Sequence, residues 1–282
     1  MGRAKNKAKN DWQHTLIIAN LRRACKLLLT LVYYEPQFPT LPIEIKMVNL
    51  KNKKLLVIAA HPDDEVYGCG GFINKIKTAG GKVFVLFLTN GTTKDFSPRG
   101  KSLETERAKE IEDVAKFLKY DGYKIAFPGD GYHLKLDQVP QKDLIHEIER
   151  GERISLETLK PDIVAFHSKG DYNQDHAAVA RAAFAACRPG LPKDKHVPKM
   201  VLTYEEPMDI WTADRPNKLN FYVELSTRDV NNKLKALQLY KSQMRKKGHP
   251  RSLETVRSMA VVRGSAIGTP FAEDYFIHKL ST

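Results

Sequence analysis

The sequence predicts an α/β protein, a three-layer Rossmann-like sandwich with a mostly parallel sheet, preceded by an N-terminal helical extension. Three observations carry this. From about residue 50 onward, short apolar runs alternate with longer amphipathic ones. The apolar runs are continuous rather than alternating, which marks strands buried on both faces, as in parallel sheets. Two of these runs end in loops crowded with His and Asp, at the carboxyl ends of strands where open sheets bind ligands.

Each element follows in order. Lys54–Ala60 (K-L-L-V-I-A-A) reads as a buried strand, and Phe72–Thr78 as part of a helix. Lys82–Thr89 is the second strand. Ser102–Tyr120 reads as a long helix with Ser102 as N-cap and Glu104 and Glu106 in its first turn. Tyr123–Phe127 is the third strand, Gln138–Leu159 is largely helical, Asp162–His167 is the fourth strand, and Asp175–Cys187 is an Ala-rich helix. Lys199–Tyr204 and Asn220–Leu225 are further strands, followed by a helix over Val230–Lys247. The first and fourth strands are expected side by side where strand order reverses, so the loops after Ala60 and His167 share one crevice.

Pro36, Pro39 and Pro42 separate this domain, 51–282, from a basic extension, 1–50. The formal net charge is +13, and residues 1–54 supply +8 of it. Such an arm reads as a solvated tail, and no nucleic-acid partner is expected from charge alone. Leu16–Tyr34 is apolar but interrupted by Arg22, Arg23 and Lys26, which argues against a spanning helix or a signal peptide. An amphipathic helix fits it, packing on its own domain or making peripheral membrane contact. Three scattered cysteines, Cys25, Cys69 and Cys187, form no disulfide framework and suit a reducing, cytoplasmic setting.

The first loop is His61-Pro62-Asp63-Asp64-Glu65. Three consecutive acids repel one another unless a cation sits among them or a helix dipole meets them. The second loop runs from His167 through Asp171-Tyr172-Asn173-Gln174-Asp175 to His176. Imidazole and carboxylate together suit zinc, and a catalytic zinc takes three protein ligands and keeps one position open. His61, Asp64 and His176 can supply those ligands for one ion per chain, leaving Asp63 uncoordinated and near enough to handle protons.

The run A-A-H-P-D-D-E-V-Y-G-C-G-G, Ala59 to Gly71, resembles the signature of the PIG-L/LmbE family of zinc-dependent N-acetylglucosaminyl deacetylases. The stretch Asp171–His176 is similar to that family's second metal motif, and Leu237–Gln243 and Arg263–Phe276 also look familial. The resemblance implies an N-acetylated amino sugar or glycoconjugate as substrate, His61, Asp64 and His176 as ligands, and Asp63 as general base. It also implies that Arg107, in R-x-x-E with Glu110, and Asp130 contact the sugar. Many relatives carry an oxyanion-stabilising His where this chain has Asn173, so Asn173 and Asp175 join Asp63 as catalytic candidates and His167 or His133 is a candidate substitute. The departure also leaves room for a second reading, a sugar-binding relative that keeps the metal with reduced turnover; the retained Asp63 argues against it.

Cys69 reads as packing, Gly68–Gly71 lacks a nucleotide-loop pattern, Trp12 and Trp211 read as packing, and Lys241–Lys247 as a solvated helix end.

Overall fold

The computed structural model describes residues 48–90, 100–191, 193–211 and 221–281. The expected N-terminal extension and its amphipathic helix lie outside the described residues.

Seven strands form one sheet in the order β3-β2-β1-β4-β5-β7-β6. They are β1 Lys54–Ala59, β2 Lys82–Thr89, β3 Gly122–Phe127, β4 Ile163–His167, β5 Met200–Tyr204, β6 Phe221–Glu224 and β7 Ala272–Leu280. β1 to β5 are parallel to one another, and β7 runs antiparallel to both β5 and β6. The sheet is therefore mostly parallel, as expected, with β1 and β4 adjacent at the point where order reverses. Five of the six residues of β1 and all five of β4 are buried, which accounts for their unbroken apolar runs.

The helices are α1 Asp64–Thr78, α2 Glu104–Leu118, α3 Gln141–Arg150, α4 Leu156–Leu159, α5 Gln174–Ala186, α6 Thr227–Leu239 and α7 Leu253–Ser265. Leu56, Ile58, Leu86, Val164, Phe166 and Val179 belong to one core cluster joining β1, β2 and β4 to α5. Each side chain of this size contributes about 1.5–3 kcal/mol by leaving water.

Four sequence expectations shift. The helix expected over Phe72–Thr78 begins at Asp64, on the acidic motif itself. Its glycines, which mimic a turn, instead permit close packing: a Cβ on Gly68 would lie 2.3 Å from the Tyr204 ring. The N-cap of α2 is Leu103, not Ser102; Ser102 is buried, and the Leu103 amide donates to Glu106 Oε2 at 2.9 Å. Gln138–Leu159 divides into α3 and α4, because Ser155 starts a new helix by accepting from the Thr158 amide. The helix expected to Lys247 ends at Leu239, where Tyr240 leaves helical geometry and carries its hydroxyl inward to Glu65. The helix α7 and the strand β7 were not anticipated from periodicity.

Candidate metal centre and cleft

The chain turns sharply between β1 and α1. Pro62 follows His61, and Asp63 takes a left-handed backbone, φ 104°, that costs a non-glycine residue about 1–3 kcal/mol. This turn sends the two adjacent carboxylates in different directions. Asp64, the first helical residue, accepts the His61 amide through Oδ2 at 2.7 Å. Across the crevice, Asn173 caps α5 by accepting the Asp175 amide at 2.9 Å, which delivers His176 on the first turn.

Three side-chain atoms able to hold a metal converge there. His61 Nδ1 lies 3.2 Å from His176 Nε2 and 3.5 Å from Asp64 Oδ2, and His176 Nε2 lies 3.4 Å from Asp64 Oδ2. A tetrahedral zinc with bonds of about 2.0–2.1 Å has ligand–ligand edges of about 3.3–3.4 Å. The outer nitrogens decide what the inner ones are. His61 Nε2 lies 2.8 Å from Asp175 Oδ2, and His176 Nδ1 lies 2.5 Å from Asp171 Oδ2. Each imidazole donates its outer N–H to a carboxylate, so each inner nitrogen presents a lone pair. Two lone pairs and a carboxylate oxygen face one another, an arrangement that requires a cation or a proton. Without a metal, burial disfavours a charged His61, yet Asp175 and Asp64 outweigh it and push the ring up to about 9. Burial pushes His176 down to about 4. Burial also works against the Asp64 carboxylate, but His176, His167 and His61 hold it well below the usual range. The donor set fits zinc.

Two groups of metal-capable side chains occur among the described residues: Asp64, His167, His176 and Glu206, and His61, His133 and Asp175. His167 serves as support. Its Nε2 accepts the Ala60 amide at 3.1 Å, its ring stacks on His176 with centroids 4.0 Å apart, and Nδ1 is buried 3.8 Å from Glu206 Oε1.

The triangle opens into a cleft of about 230 Å³ whose walls include Asp63, Arg107, His133, Asn173, Glu206 and Arg251. Asp63 is 2% exposed, and its Oδ2 accepts from Arg251 Nη2 at 2.6 Å. Burial raises the Asp63 carboxyl, opposed by Arg251. Arg107 is 1% exposed and donates to the Pro62 carbonyl at 2.7 Å, fastening the motif loop, while its Nε has no partner. Glu110 accepts the Ser242 amide and hydroxyl, both at 2.7 Å.

The expected site residues therefore divide. The structure brings His61, Asp64, His176, Asp63, Arg107 and Asn173 to one cleft. Asp175 stands behind His61 rather than at the cleft: it is fully buried, and its oxygens also accept the Leu134 and Leu136 amides at 2.7 and 2.8 Å. Asn173 is occupied through Oδ1 as a helix cap. Asp130 is exposed after β3 and is not among the residues lining the cleft. His133 does face the cleft, its ring edge-on to His61 at a centroid distance of 4.9 Å. The sequence reading missed the roles of Asp171, Glu206 and Arg251. Asp171, five residues before His176, carries a local signal; Arg251, 188 residues from Asp63, carries none.

Among the described residues, no helix is long and apolar enough to cross a membrane. A family model described as PIG-L, GlcNAc-PI de-N-acetylase, matches residues 56–187. The chain is 27% identical over 195 residues to the uncharacterized deacetylase YaiS of Escherichia coli (strain K12), covering 68% of this chain and 92% of that protein. Its fold is similar to that of N,N'-diacetylchitobiose deacetylase from Pyrococcus horikoshii (22% identity, TM-score 0.58, 80% of this chain and 83% of that one). It is also similar to GalB, the 4-carboxy-2-hydroxymuconate hydratase of Pseudomonas putida KT2440 (20% identity, TM-score 0.62, 82% and 98%). Those two likenesses concern the fold, which hosts more than one chemistry.

Proposed function

We propose, from the match of residues 56–187 to the PIG-L family model, that the chain is a zinc-dependent deacetylase of that family, releasing acetate from an N-acetylglucosamine-type sugar or glycoconjugate. The observation that carries this is the ligand triangle of His61, Asp64 and His176, with both imidazoles tied outward to carboxylates and Asp63 uncoordinated beside it.

A zinc ion held by His61, Asp64 and His176 supplies Lewis-acid polarisation and a more acidic water. Asp63 accepts the proton of the water that attacks the acetamide carbonyl, and returns it to the leaving nitrogen as the C–N bond breaks. The products are acetate and a free amino sugar. The neutral imidazole of His133, edge-on to His61 in the cleft, donates the hydrogen bond to the developing oxyanion. The unpartnered Nε of buried Arg107 takes a sugar hydroxyl as its acceptor. Asp130, away from the cleft wall, receives no part here. Asp175 and Asp171 orient the two ligand imidazoles and hold their tautomers.

The test is product analysis. Zinc-loaded protein is incubated with N-acetylglucosamine, N,N'-diacetylchitobiose and a lipid-linked N-acetylglucosamine, and acetate and deacetylated sugar are followed by enzymatic assay and mass spectrometry. Equimolar acetate and free amine are expected from at least one of them. Saturable binding of a sugar with no acetate released would select the second reading, the reduced, sugar-binding relative that Asn173 favours.

Residues 1–50 stand in this proposal as an extension to the domain at 51–282, in a cytoplasmic enzyme. Co-sedimentation of the full chain, but not of a chain lacking 1–35, with anionic vesicles would assign the extension to membrane contact.

A further inference from the structure

Asp63 occupies the N-cap position of α1, where an aspartate by default turns its carboxylate onto the free amides of the first helical turn. Here it makes no such bond. Its backbone amide donates instead to Glu65 Oε2 at 3.0 Å, and its carboxylate reaches Arg251 Nη2 at 2.6 Å. Among the described residues, Arg251 is the one hydrogen-bonding partner of that carboxylate.

Arg251 is itself firmly placed. It sits on the turn before α7, and its guanidinium lies 4.3 Å from the centroid of the Tyr67 ring. The Tyr67 hydroxyl donates to the Arg251 carbonyl at 2.9 Å, and the Arg251 amide donates to His249 Nδ1 at 3.0 Å. Tyr67 lies on the first turn of α1, so the helix that begins after Asp63 also anchors the group that holds Asp63. Glu206 Oε2 lies 4.0 Å from the same Nη2.

Resting on the proposed role of Asp63 as base, we infer that Arg251 is a positioning residue for the reaction: it draws the Asp63 carboxylate out of helix-capping geometry and holds it in the cleft. The two alternatives open to that carboxylate compete. One is the cap, favoured by residue type although the φ of 104° departs from the extended backbone of a usual cap; the other is the catalytic position, which a cation brought in from the C-terminal part of the chain favours. The turn before α7, outside the family-matched span, is thereby part of the active site.

The experiment uses the full chain loaded with zinc. Arg251→Met keeps the length and apolar stem while removing the fork. It is expected to lower kcat about tenfold or more, with KM and zinc content unchanged within about twofold. Arg251→Lys, which restores a cation without the planar fork, is expected to fall between Met and wild type. It also serves as the test variant should Arg251→Met not fold. In an Asp63→Asn background neither change should lower kcat further, because a residue acting through Asp63 has nothing left to act on. A crystal structure of the variant should show the carboxylate turned away from the cleft onto the Glu65 amide, with thermal stability held up by the new cap. Retained kcat, an equal loss in the Asp63→Asn background, or an unmoved carboxylate would each overturn the inference. A wild type that deacetylates no sugar would instead overturn the reading of function, and the carboxylate position in the variant structure would still decide this one.

Discussion

Residues 56–187 and residues 200–281 build the same cleft in different ways. The first stretch supplies every proposed metal ligand, the base, and the carboxylates Asp171 and Asp175 behind the imidazoles. Its site side chains lie at the two strand-to-helix junctions after the adjacent strands β1 and β4, and short runs of sequence place them. The second stretch contributes no ligand to the triangle. It fixes α1 from behind: Lys233 Nζ donates to the Tyr67 carbonyl and to Glu273, both at 2.6 Å, and Glu273 accepts the Gly71 and Phe72 amides at 2.9 and 2.7 Å. Tyr240 donates to Glu65 at 2.6 Å, and Arg251 holds Asp63. The contrast teaches that identity of the reacting groups is local, whereas their orientation is enforced from far along the chain.

Substitutions in the two regions should therefore fail differently. The largest effect belongs to the ligands. His61→Ala or His176→Ala is expected to abolish both bound zinc and turnover while leaving a folded chain, read by elemental analysis, acetate release and circular dichroism. A variant with full metal occupancy would remove its residue from the ligand set.

In the second region, Lys233→Met should cost about 3–5 kcal/mol of stability, because it leaves the Glu273 charge buried without its cation. Denaturant unfolding measures this, and activity per folded molecule should be little changed. An equal fall in kcat with no loss of stability would erase the division between the regions.

Asp63→Asn should retain zinc and lose at least about 10²-fold in kcat, the scale of a missing general base. Turnover near wild type would break the mechanism at its centre. Asp175→Asn should be milder, weakening zinc affinity by about 10–100-fold, since it disturbs the orientation and basicity of a ligand without removing it. Competition with a chromogenic chelator reads that change, and unaltered affinity would return Asp175 to some other task.

The smallest effect is a slope. In the metal-free protein His61 is pushed up to about 9, so between neutral pH and about 9 zinc must displace a proton from it. Affinity should then rise about tenfold per pH unit and level off above that range. A flat profile across neutral pH would place the metal on other atoms.

The parallel strands, the adjacency of the loops after β1 and β4 and the meeting of His61, Asp64 and His176 were legible because each rests on a local signal: continuous apolar runs, and His and Asp packed into a few residues after them. The start of α1 at Asp64 was not, because three glycines between Gly68 and Gly71 resemble a turn until the Tyr204 ring is seen lying where a Cβ would be. Asp175 looked reactive from its place in the motif, yet the backbone of Leu134–Leu136 folds over it and makes it a brace. By itself the sequence determined which chemical groups are present and which strand ends carry them. Only the tertiary structure decided which carboxylate faces the cleft, which imidazole nitrogen is left free and that Arg251 meets Asp63. Those outcomes depend on hydrogen-bond partners brought together across more than a hundred residues, and no spacing along the chain encodes such distances.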